Sequence, residues 1–117
     1  MQTIFHIAQR AEWEQAAPTG AYRPASLASE GFIHCSTAAQ VPGVANAFYR
    51  GQGDLLLLVI DPARLNAPLR EEPPAEDPAS AARFPHIYGP LNVDAVVRVV
   101  PFVPDAAGRF SLPPDTL

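Results

Sequence analysis

Asp54-Leu55-Leu56-Leu57-Leu58-Val59-Ile60-Asp61, set between Gly53 and Pro62, is the stretch on which the fold turns. A strand with one wet face alternates apolar and polar residues, and this one does not. An unbroken aliphatic run bounded by turn residues predicts a strand buried on both faces, in the middle of a sheet. It is also the longest apolar run of the chain, far short of membrane-spanning length, which predicts no membrane partner.

Shorter elements are predicted on either side of it. Thr3 to Ala8 reads as a first strand, and Gln9 to Ala17 as a helix that Pro18 and Gly20 end. Ser26 is a candidate N-cap for a one- or two-turn helix that Gly31 stops. Phe32 to Cys35 reads as a second strand, with Ser36 as the cap of the next helix. Ala38, Val41, Val44, Ala45 and Phe48 have helical spacing, closed by Gly51. Pro42 either kinks that helix or occupies its first turn. Later strands are expected at Leu69 to Glu71, Phe84 to Tyr88 and Val96 to Val103, where Arg98 points outward and Pro101 marks an edge or a bulge. Strands and helices mix without regular alternation, which predicts a small α+β domain spanning residues 1–117.

Composition narrows the function. The chain has 117 residues, 48% of them hydrophobic, and a net charge of −4, which disfavours a broad nucleic-acid-binding surface. All 8 basic residues are arginine, so Schiff-base chemistry and a Walker-type phosphate loop are excluded. A single cysteine, Cys35, excludes an internal disulfide and a zinc finger. It reads as a small buried hydrophobe. The N-terminus lacks a basic segment followed by a signal-type apolar region, so a cytoplasmic location is the expectation. Glu71 to Ala82 is acidic, rich in Pro and Ala and without periodicity, which predicts a mobile surface loop.

All 3 histidines lie in apolar, strand-like runs: Ile4-Phe5-His6-Ile7, Phe32-Ile33-His34-Cys35 and Phe84-Pro85-His86-Ile87-Tyr88. Alternation puts His6 on one face with Ile4 and Ala8, His34 with Phe32 and Ser36, and His86 with Phe84 and Tyr88. The bland reading of each is a half-buried ring bonded to a backbone carbonyl. The sharper reading is a shared cleft in which His6, His34 and His86 do acid–base work on a small-molecule ligand. Three imidazoles can also hold zinc with an open position, which makes a metal-dependent hydrolase one alternative. A non-catalytic binding module is another. Around the histidines, Ser36 could meet a phosphate, Tyr22 and Tyr88 could stack on a base, and Arg23 could clamp a phosphate. Arg70, Glu71 and Glu72 precede the third histidine segment; a solvated surface run is their plainer reading.

Glu30-Gly31-Phe32-Ile33-His34-Cys35-Ser36 with Gln40 and Val41, and Phe84-Pro85-His86-Ile87-Tyr88-Gly89-Pro90-Leu91, carry a family resemblance. With Ile4 to Ile7, Trp13 and Tyr22-Arg23-Pro24-Ala25-Ser26-Leu27, they resemble the small bacterial proteins of domain-of-unknown-function family 952. The resemblance runs from about Ile4 to Val99. It implies a compact ADP-ribosyltransferase-like fold, two small sheets packed with short helices, with NAD or a related nucleotide in the crevice between them. On that resemblance His6 is the counterpart of a ribose-binding histidine and Phe32 to Ser36 of the nicotinamide-side strand. His34, His86, Tyr22, Arg23, Ser36, Gln40, Arg70, Glu72 and Tyr88 then complete the candidate site. Where the superfamily carries a catalytic glutamate, this chain has Phe84, Pro85 and His86. The expected enzyme is accordingly a transferase or hydrolase lacking that glutamate.

Overall fold

A computed structural model describes residues 2–116. Its elements are β1 (Ile4–Gln9), α1 (Arg10–Ala16), β2 (Ala21–Tyr22), α2 (Ala25–Glu30), β3 (Ile33–His34), α3 (Val41–Phe48), β4 (Leu55–Ile60), β5 (Leu69–Glu72), β6 (Phe84–Ile87), β7 (Leu91–Asn92) and β8 (Val96–Phe102). The chain is α+β. Three antiparallel sheets form where two were expected: β1–β4–β8, β2–β7 and β3–β6–β5. The additional one is the pairing of Ala21-Tyr22 with Leu91-Asn92.

The aliphatic run does what its pattern requires. β4 is central, and all 6 of its residues are buried. Leu56, Leu58 and Ile60 enter one core with Ile4, Ala8, Trp13, Tyr22, Ile33, Cys35 and Ile87. Leu55, Leu57 and Val59 enter a second, against Val41 and Ala45 of α3 and Phe102 and Phe110 of the C-terminal part. β8 lies at the sheet edge and its register shifts beside Val59 and Ile60, so Pro101 costs no bond to a further strand.

Local chemistry explains the helix ends. Gly31 terminates α2 with φ 88°, a left-handed conformation that only glycine adopts without strain. Pro42 sits in the first turn of α3, where an amide has no helical partner to lose, so no kink is needed. Two expected caps are not formed. Pro24, not Ser26, precedes α2, and the Ser26 hydroxyl donates instead to the Phe32 carbonyl at 2.9 Å. Ser36 caps nothing, because its backbone pairs with Phe5 and α3 begins only at Val41. Glu71 and Glu72 complete β5, so the irregular Pro/Ala-rich segment starts after them. No helix among the described residues is long and apolar enough to cross a membrane.

The sheets β1–β4–β8 and β3–β6–β5 meet at one bridge. Phe5 and Ser36 exchange backbone hydrogen bonds of 2.8 Å in both directions. Beyond that bridge the sheets part, and α3 covers the gap.

Candidate functional site

The gap is a cavity of about 300 Å³, at the small end of the range for ligand pockets. Phe5 and Ile7 of β1 form one wall, and Val44, Phe48 and Tyr49 at the end of α3 form another. Cys35, Ser36, Phe84, His34 and His86 come from the second sheet and its extension, while Glu30, Pro74 and Glu76 complete the rim.

Cross-strand register builds the polar end. His34 pairs with His86, and His86 with Arg70, so the three side chains share one face of the β3–β6–β5 sheet. Glu72 pairs with Phe84 on that same face. The imidazoles of His34 and His86 stand 5.6 Å apart, centre to centre. The Phe32 ring packs against both, stacked on His86 at 4.1 Å and edge-on to His34 at 4.7 Å.

Each of these histidines is held by its own glutamate. His86 Nδ1 lies 2.8 Å from Glu72 Oε1, and His34 Nε2 lies 2.8 Å from Glu30 Oε2. A carboxylate only accepts, so those nitrogens carry protons and donate. His86 itself is 2% exposed, which leaves Nε2 as the ring nitrogen able to meet a ligand. Glu72 Oε1 also accepts a 2.5 Å bond from the Tyr88 hydroxyl. The bonds from Tyr88 and His86 hold the Glu72 carboxyl below the usual range, and the same contact pushes the Tyr88 phenol up. Arg70 lies over the Tyr88 ring, 4.8 Å from its centre, and its charge also favours the Glu72 carboxylate.

His6 is not part of this wall. The bridge pairs Phe5 with Ser36, so Phe5 and Ile7 point into the cavity, and His6 points to the other face with Ile4 and Ala8. There Nδ1–H donates to the His34 carbonyl at 2.6 Å, and Nε2 accepts from the Tyr22 hydroxyl at 3.1 Å. The carbonyl cannot donate, so this tautomer is the one its partners dictate. Burial lowers its pKa from 6.5 to about 4, so the ring is neutral at physiological pH. A common three-histidine metal centre is therefore not built. Among the described residues no group of three or more His, Cys, Asp or Glu side chains is placed to hold a metal.

The remaining candidates divide. Ser36 lines the cavity and Tyr88 supports it through Glu72. Tyr22 is buried in the main core against Trp13, 5.7 Å between rings, and cannot stack on a ligand. Arg23 is exposed on a separate shallow depression beside Glu12 and Thr19. Gln40 fastens the loop: its Oε1 accepts from the Thr37 amide and its Nε2 donates to the Arg83 carbonyl at 2.7 Å. Sequence reasoning missed Glu30, Glu76 and the aromatic side chains of Phe5, Phe48 and Tyr49, whereas alternation sets Phe84 beside His86. The helical spacing of Val44 and Phe48 was a signal for part of it.

The family model described as Protein of unknown function (DUF952) matches residues 7–99. Among solved structures, the crystal structure of protein CC0527 from Caulobacter crescentus is similar at 36% identity, covering 95% of each chain with a TM-score of 0.83. A double methionine variant of CC0527 matches at 35% identity, 95% coverage of each chain and a TM-score of 0.83. The solution structure of CC0527 matches at 35% identity over 96% of this chain and 94% of its own, with a TM-score of 0.74. No curated protein matches the chain.

Proposed function

We propose that this chain, which belongs to the DUF952 family, binds a ring-bearing small molecule of nucleoside type in the cavity and acts on it by acid–base chemistry. One observation carries the reading. A buried imidazole, His86, has one nitrogen fixed by Glu72 at 2.8 Å and the other left to the cavity. In that arrangement Nε2 takes a proton from a ligand hydroxyl or a water. Nδ1–H stays on Glu72, whose charge stabilises the imidazolium that forms. His34, its ring 5.6 Å from that of His86 and held by Glu30, serves as the second proton-transfer group.

The ADP-ribosyltransferase-like architecture implied by the sequence motifs belongs to this proposal, supported by a crevice between two sheets with histidines on its wall. The fit to a whole dinucleotide is partial. About 300 Å³ takes one ring system, and among the described residues no arginine lines the cavity to meet a pyrophosphate. A ligand of nucleoside size is the better match. Glu72 supplies a carboxylate close to where such an enzyme needs one, but it reaches the cavity only through His86.

Thermal shift against nucleosides, NAD and ADP-ribose tests the proposal. At least one should raise the melting temperature of the wild type and not of His86→Gln. Proton NMR of the same mixtures shows whether the ligand is converted or only held. No shift with any of them would overturn the reading.

A further inference from the structure

We infer that the ring held in this cavity is a flat organic cation. This rests on the reading above that the cavity is a small-molecule site, and it concerns the charge of the molecule that enters.

The charged lining is one-sided. Glu30 and Glu76 face the cavity, and none of the 8 arginines does. Arg83, next in sequence to the lining residue Phe84, spends its guanidinium on the Ser80 and Ala82 carbonyls, each at 3.1 Å. Arg70 lies over Tyr88. The histidines do not reverse the sign. His34 is backed by Glu30 and His86 by Glu72, so even a protonated ring leaves its pair neutral overall. Glu76 adds a carboxylate with no imidazole beside it among the described pairs. With uncharged imidazoles the lining carries the two negative charges of Glu30 and Glu76, while Arg70 offsets Glu72 outside it.

The apolar wall agrees. Phe5, Phe48, Tyr49 and Phe84 surround the same space. Aromatic faces carry negative electrostatic potential and attract a cation that has shed its water. An anion would meet the same faces, the same carboxylates and no counter-charge, and would leave its hydration behind without return. A neutral ring gains the burial alone.

Three probes of nearly one shape separate these cases: benzamidine, benzamide and benzoate. Each is titrated into the full chain at neutral pH and followed by amide chemical shifts. Benzamidine should bind on the order of tenfold more tightly than benzamide, with benzoate weakest. Glu76→Gln, on an exposed loop, should shrink that preference without touching the core, and Glu30→Gln should shrink it further. Benzoate binding as tightly as benzamidine, or a preference that survives both replacements, overturns the charge assignment and leaves the binding reading intact. If none of the three shifts the amides of Ile7, Ser36, Phe48 and Phe84, the binding reading fails and the inference fails with it.

Discussion

Acid should destabilise this protein through His6, a residue far more consequential for stability than for ligand contact. Burial penalises the charged imidazole and lowers its pKa from 6.5 to about 4 in the folded chain. In the unfolded chain the ring protonates near its ordinary value. Above that value both states hold it neutral, and it adds no pH dependence. Between 6.5 and about 4 only the unfolded chain takes up the proton, so stability falls as the pH falls. At about 1.4 kcal/mol for each decade, a gap of this size corresponds to about 3 kcal/mol. That is a large share of the roughly 5–15 kcal/mol that holds an ordinary domain folded. Urea unfolding followed by Trp13 fluorescence, between about pH 7.5 and about pH 4.5, measures it. His6→Asn is the reference, since its amide still donates to the His34 carbonyl and does not titrate. Wild type should lose about 2–3 kcal/mol more than the variant across that range. Equal losses in the two proteins, or an NMR midpoint for His6 near its unperturbed value, would refute the argument.

Two further outcomes rest on burial. Leu58, fully buried in the central strand, should cost about 2–5 kcal/mol as Leu58→Ala, read from the urea midpoint; a loss below about 1 kcal/mol would contradict the packing. Cys35 is 3% exposed and burial pushes its thiol pKa up, so an aromatic disulfide reagent should label it slowly in the native protein and fully in urea. Rapid labelling of the native protein would show that the cavity exposes the sulfur.

Much of the fold was legible because single residues decide it. The aliphatic run at Leu55 to Ile60 could only be a central strand, Gly31 could only stop a helix, and Pro101 could only lie at an edge or a bulge. The site was legible by halves. Alternation placed His34 with Phe32 and His86 with Tyr88, and the structure keeps each pair on one face. It could not place His6 relative to them. That depends on whether residue 5 or residue 6 meets Ser36, and a one-residue difference in register turns the side chain to the other face. Register between strands joined by long connections is a tertiary property with no local signature. The partnership of Glu30 with His34 was hidden for a similar reason. The two are four apart, but Gly31 breaks the helix between them, so helical spacing did not apply. Glu72 was visible as an acid near the third histidine, whereas its bond to His86 needed the β5–β6 pairing.

The bridge between Phe5 and Ser36 is also a narrow backbone join, two bonds between two sheets. β1 is fastened to β4 along 6 paired positions, but to the second sheet by the two backbone bonds of that bridge, the bond from His6 to the His34 carbonyl and the shared core. Contacts so few exchange their amide protons at a lower free-energy cost than the ladder beside them. The amides of Phe5 and Ser36 should therefore exchange before those of the β1–β4 ladder, which hydrogen exchange reads directly.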